Sequence, residues 1–150
     1  MSELRELYQS VILDHNKRPR NFGEVEGANH SADGFNPLCG DKITVTLELE
    51  DDVVKDVAFN GAGCAISTAS ASLMTESIKG KTVDEVLQLF EGFHDLVTGD
   101  PTIEVDASGL GKLAVFGGVR EFPVRVKCAT LAWHTMKSAL DGSGEIVKTE

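Results

Sequence analysis

Lys42-Ile43-Thr44-Val45-Thr46-Leu47-Glu48-Leu49-Glu50, then Asp51-Asp52, then Val53-Val54-Lys55-Asp56-Val57-Ala58-Phe59-Asn60, is the stretch on which the fold turns. Ile43, Val45, Leu47 and Leu49 alternate strictly with Thr44, Thr46, Glu48 and Glu50. A period of two puts one set on a core face and the other toward water, which predicts a half-buried strand. Asp51-Asp52 marks a tight turn, and Val57 and Phe59 of the returning strand face the same core.

Outward from this hairpin the period changes. After Gly61-Ala62-Gly63, a helix is expected to start near Cys64, with Ile66, Ala69, Ser70, Leu73, Met74, Ser77 and Ile78 on one face and Gly80 at its end. Thr82-Val83-Asp84-Glu85 reads as a capping box opening a third helix through Val86, Leu89, Phe90 and Phe93. Upstream, Leu4, Leu7, Tyr8, Val11 and Ile12 predict a first helix over about residues 3–16, capped at Ser2 and ended by Pro19. Residues 21–41 read as loop with one short strand near Ala28–Asp33, and 94–109 as a surface excursion. A helical turn is expected within Leu110–Val119. A last helix runs from Pro123 to about Leu140, followed by a frayed tail over Ser143–Glu150. Strands followed by helices argue for α+β, a small antiparallel sheet covered on one side by helices. The chain of 150 residues is read as one domain over 1–150.

Fourteen Lys+Arg face 24 Asp+Glu, a formal net charge of −10. That argues against a nucleic-acid partner and against anionic membranes, and suits a basic patch on a protein. No apolar run reaches the length of a membrane span and the start carries no signal-like pattern, so the cytoplasm is the expected compartment.

Three cysteines, Cys39, Cys64 and Cys128, cannot all pair internally, and their intervals of 25 and 64 residues make no CxxC. Each falls at the edge of an element. Cys39 sits in Asn36-Pro37-Leu38-Cys39-Gly40-Asp41, and Asp41, two residues on, projects to the same side of an extended segment. Cys64 opens a helix, and Cys128 is expected in the first turn of the last one, where unpaired N–H groups favour thiolate. Three thiolates and one carboxylate suit tetrahedral Zn²⁺. Read singly, Cys64 and Cys128 are packing residues and Asp41 a turn or strand-entry residue, whereas Cys39, between Pro37 and Gly40 in a polar turn, suits packing less. The joint pattern points to a thiolate metal or redox site and leaves that choice open. His15, His30, His94 and His134 read as surface or capping residues. Trp133 reads as core or interface, and the small run Ser67–Ser72 as a close helix contact without a nucleophile elbow.

Three segments carry a family resemblance: Asn36-Pro37-Leu38-Cys39-Gly40-Asp41; Gly61-Ala62-Gly63-Cys64-Ala65-Ile66-Ser67-Thr68-Ala69-Ser70; and Arg125-Val126-Lys127-Cys128-Ala129-Thr130-Leu131-Ala132-Trp133. With Asp14-His15-Asn16-Lys17-Arg18-Pro19 near the start, they resemble, in order, the motifs of the IscU/SufU (NifU N-terminal-like) iron–sulfur cluster assembly family. Lys127 stands where scaffold-type members carry a histidine, no Leu-Pro-Pro-Val-Lys chaperone motif is present, and the long interval before Cys128 is similar to the SufU insertion. The resemblance is therefore to the SufU branch. It implies a zinc-dependent sulfurtransferase, an acceptor and activator for a PLP-dependent cysteine desulfurase of the SufS type, feeding downstream Suf assembly proteins. It implies zinc held by Cys39, Asp41, Cys64 and Cys128, a desulfurase histidine replacing one thiolate on docking, and Cys39 as the sulfur acceptor. Arg125 and Lys127 would steady the anionic site. The alternative within the family is a scaffold carrying iron or a 2Fe–2S cluster.

Overall fold

The computed structural model describes residues 2–37, 40–98, 113, 116, 123–141 and 147–148. The elements run α1 (Ser2–Lys17), β1 (His30–Asn36), β2 (Asp41–Glu50), β3 (Val53–Ala62), α2 (Ala65–Ile78), α3 (Val83–Thr98), α4 (Pro123–Asp141) and β4 (Val147–Lys148). The sheet order is β3-β2-β1-β4. β1, β2 and β3 are antiparallel neighbours.

The alternation in β2 sends its apolar residues inward as expected. Ile43, Val45 and Leu47 are buried, as are Val57 and Phe59 on β3. Asp51 and Asp52 both take left-handed φ values, 53° and 62°, which matches a two-residue hairpin turn to the twist of its strands. The inner face packs against α4 and α2; α1 leans on α2, and α3 on α4. Between the layers lie Leu73, Met74, Phe93, Trp133 and Met136, all essentially inaccessible to water. Trp133 stacks on Phe93 at 4.6 Å between ring centroids, which makes it the core residue its spacing suggested. The α+β reading stands, with helices on one face of a small sheet.

Several boundaries differ from expectation. β1 occupies His30–Asn36, later than the expected 28–33, because its inward residues are small or polar: Ala32, Gly34 and Asn36. A Cβ at Gly34 would run into Thr135 Oγ1 and come within 3.1 Å of Leu131 Cδ1, so glycine is what lets α4 approach the strand. α3 continues to Thr98 because Leu96 and Val97 extend the apolar stripe of Phe93 into the core, so 94–98 is helix and not surface excursion. The remaining residues of that excursion lie outside the described part. Leu113 and Phe116, within the expected turn at 110–119, have helical conformation and are fully buried. The tail expected to fray contributes β4, whose Val147 and Lys148 pair in parallel with Gly34 and Phe35. The sheet therefore gains one short parallel edge. The capping box is formed: Glu85 N–H donates to Thr82 Oγ1 at 3.2 Å, and Thr82 N–H to Glu85 Oε1 at 3.1 Å.

Candidate metal centre

The β1–β2 hairpin closes on the pair Asn36 and Asp41, which face each other across its mouth. Their side chains are almost wholly buried. Cys39, between them in sequence, lies outside the described residues. Asp41 turns toward the entrance of α2. Its Oδ1 accepts a hydrogen bond from the Cys64 backbone N–H at 2.9 Å, and its Oδ2 lies 3.9 Å from Cys64 Sγ. Cys64 is the N-cap of α2, and its sulfur accepts from Ser67 N–H at 3.4 Å. A first-turn amide thus donates to sulfur, as expected for a thiol at a helix start. Gly63 makes room: a Cβ there would stand 2.8 Å from Asp41 Oδ1.

Cys128 comes from α4. It is the sixth residue of that helix, not in the first turn as the sequence suggested, so the free N–H groups of the helix start do not reach it. Its partner is instead Asn36, whose Nδ2–H donates to Cys128 Sγ at 3.7 Å. Cys128 is 3% exposed, whereas Cys64 is open to solvent.

Asp41, Cys64 and Cys128 together present one ligand atom each within 4.8 Å of one another. Tetrahedral zinc bonds of about 2.0–2.3 Å imply ligand–ligand separations of roughly 3.5–3.8 Å, so small side-chain movements suffice to close the set on one ion. Asp41 has no ion-pair partner among the described residues. A buried carboxylate without a cation is costly. The donor chemistry therefore fits a metal of borderline softness: two thiolates and one carboxylate oxygen that keeps its second oxygen on a backbone amide.

The open side of this cluster is a groove of about 600 Å³ lined by Ile12 and Leu13 of α1, Cys64, Val124, Arg125 and Cys128, among others. Leu13 and Val124 are half-exposed on its rim. Arg125 borders the groove, while Lys127 is half-buried and does not line it.

The histidines fall elsewhere. His15, read as a surface or capping residue, is buried: its Nδ1 is 2.7 Å from Ser72 Oγ and its Nε2 3.7 Å from Glu76, tying α1 to α2 behind the groove. Arg20 N–H donates to the same Ser72 oxygen at 2.8 Å. His94 belongs to α3 and packs near His134, with ring centroids 5.8 Å apart. The Ser67–Ser72 run is a close contact as read, with Ser70 Oγ donating to the Ala129 carbonyl. Sequence reasoning missed Asn36. The available signal was its place opposite Asp41 across a short turn carrying a cysteine.

Residues 7–140 match the family described as NifU-like N terminal domain. The chain is 44% identical over 140 residues to the zinc-dependent sulfurtransferase SufU of Bacillus subtilis strain 168, covering 93% of this chain and 92% of that one. It is 41% identical over 143 residues to the iron–sulfur cluster assembly scaffold protein IscU of Streptococcus pyogenes serotype M1, covering 95% and 88%. The crystal structure of FiSufU from Fervidobacterium islandicum AW-1 superposes with a TM-score of 0.80 at 38% identity, covering 87% of this chain and 93% of that one. The match across the whole run of motifs, together with the shared fold, means that this chain belongs to the NifU-like N-terminal domain family, alongside the proteins named IscU and SufU.

Proposed function

We propose that this chain is a zinc-dependent sulfur carrier, which takes sulfane sulfur from a PLP-dependent cysteine desulfurase and passes it to downstream iron–sulfur assembly proteins in the cytoplasm. The observation that carries the reading is the convergence of Asp41, Cys64 and Cys128 from three separate elements. The SufU relative and Lys127, in place of the histidine typical of scaffold members, support it.

Cys64, Cys128 and Asp41 would hold the ion, with Cys39 as fourth ligand; zinc, when bound, keeps thiols deprotonated near neutral pH without adding redox chemistry. Asp41 holds the start of α2 through Oδ1, which would leave Oδ2 as the atom available to a metal. In the transfer, the Cys39 thiolate attacks the terminal sulfur of the desulfurase persulfide. A new S–S bond forms on Cys39, the old one breaks, and the desulfurase cysteine leaves as thiolate. The exchange is electron-neutral and needs no outside oxidant. The half-exposed Leu13 and Val124 and the Arg125 guanidinium offer the docking partner an apolar rim with one positive charge.

The test is metal content with alanine production by a cognate desulfurase. About one zinc per chain and a stimulation abolished by Cys39→Ala are expected. Stimulation unchanged in Cys39→Ala would overturn the carrier reading. The scaffold reading is favoured by the relative named IscU, and thiolates also suit 2Fe–2S clusters. It predicts a cluster that forms anaerobically and moves to an apo-ferredoxin, which a carrier that retains its zinc does not do.

A further inference from the structure

The two described cysteines of the site are held unequally. Cys64 is exposed, at a helix N-cap, and its sulfur takes its hydrogen bond from a backbone amide of its own helix. Cys128 is buried in mid-helix, beyond reach of free helix-end amides, and the donor recorded on its sulfur is a side chain from another element, the Nδ2–H of Asn36. Asn36 is itself fully buried and pinned at both ends of its neighbourhood. Its backbone pairs with Asp41 across the hairpin, and its carbonyl accepts from Gly40 N–H at 2.9 Å. The two closing residues of one hairpin thus address one cysteine each, Asp41 for Cys64 and Asn36 for Cys128.

We propose that Asn36 is a positioning residue, whose carboxamide fixes the Cys128 sulfur so that Cys128 is the thiolate retained on the metal while sulfur is exchanged elsewhere in the site. The inference rests on the metal-holding reading above. An N–H donor aimed at sulfur spreads the charge of a metal-bound thiolate and sets its side-chain angle, and outer partners of this kind carry a large share of a site's affinity. Burial adds to this, since a released Cys128 thiolate would be left in an apolar interior. Asn36 stands three residues before Cys39 in the sequence, so the proposed acceptor and the residue that steadies the retained ligand are near neighbours along the chain.

The test uses the full chain. In zinc competition against a chromophoric chelator, Asn36→Ala and Asn36→Asp are expected to bind zinc about tenfold more weakly than wild type. In the zinc-loaded variants, iodoacetamide labels Cys128 faster, read by peptide mass, while labelling of Cys64 stays as in wild type. Affinity within about twofold of wild type, or weaker binding with Cys128 still protected, overturns the proposal. Should both variants fail to fold, wild-type protein loaded with cadmium-113 replaces them. A scalar coupling between the Asn36 side-chain amide proton and the metal, carried through the N–H···S contact, is expected, and uptake of cadmium without that coupling overturns the proposal. A wild type that takes up neither metal overturns the metal-holding reading and this inference together, which separates the two failures.

Discussion

Gly63 is the residue on which the geometry of the cluster is most sensitive. It has no side chain because Asp41 Oδ1 occupies the space a Cβ would need, at 2.8 Å, with Ser67 Oγ at 3.2 Å. Gly63→Ala is expected to displace the Asp41 carboxylate, weaken zinc binding by about tenfold and leave the overall fold intact. Chelator competition alongside circular dichroism checks both halves. Gly34 is a different case, since its missing side chain serves packing. A Cβ there meets Thr135 Oγ1 on α4 and Ile43 Cγ2 at 3.2 Å on β2. Gly34→Ala is expected to cost about 1–3 kcal/mol through overpacking, read by urea denaturation. At this scale Cys39, Asp41, Cys64 and Cys128 stood out in the sequence by chemistry and context. Asn36 and the buried His15 did not, because a polar side chain becomes informative only once its partner is known. Those partners, Cys128 and Ser72, lie 92 and 57 residues away.

Among the elements, the hairpin of β2 and β3 and the start of α3 were legible because local chemistry and burial agree there. Strict alternation, a two-residue turn and a capping box each have one structural reading. β1 was not, since Ala32, Gly34 and Asn36 carry no apolar alternation, and their smallness is the imprint of α4 above them. The end of α3 was underestimated because Asp100-Pro101 and Ser108-Gly109 mark 94–109 as one excursion, although Leu96 and Val97 continue the apolar stripe. The α3–α4 contact has its own pH signature. Burial first, then the neighbouring His94 and Lys137, holds the His134 pKa below its ordinary 6.5. Phe90 stacks on the His94 ring and meets the His134 ring edge-to-face, and Lys137 lies over its ring. A base with a lowered folded-state pKa stays neutral in the native protein while the unfolded chain takes up a proton. Stability is therefore complete above about pH 6.5 and declines as pH falls from there toward the folded-state pKa. His134→Gln is expected to flatten this decline, so that thermal melts between about pH 6.5 and about pH 5 shift less than those of wild type. An equal shift in both proteins would show that the interface does not contribute.

For the molecule as a whole, the core and the cluster are separable. Phe93, Trp133, Met136, Leu73 and Val45 pack between sheet and helices without using any of the candidate ligands. Chelation of zinc should therefore leave a folded chain that still melts cooperatively. At free zinc a hundredfold above its dissociation constant, the lost binding amounts to about 2.7 kcal/mol, or roughly 5–10 °C in Tm for a chain of this size. Complete unfolding on chelation would mark a purely structural zinc domain. Among the described residues no helix is long and apolar enough to cross a membrane. The acidic balance of −10 leaves a positively charged patch as the natural counterpart on a protein partner.

The most direct measurement is X-ray absorption at the zinc edge on the purified chain. One tetrahedral zinc is expected, with three sulfur neighbours at about 2.3 Å and one oxygen at about 2.0 Å, falling to two sulfurs in Cys128→Ser. A first shell made only of oxygen and nitrogen, or one that the Cys128→Ser change leaves untouched, would contradict it.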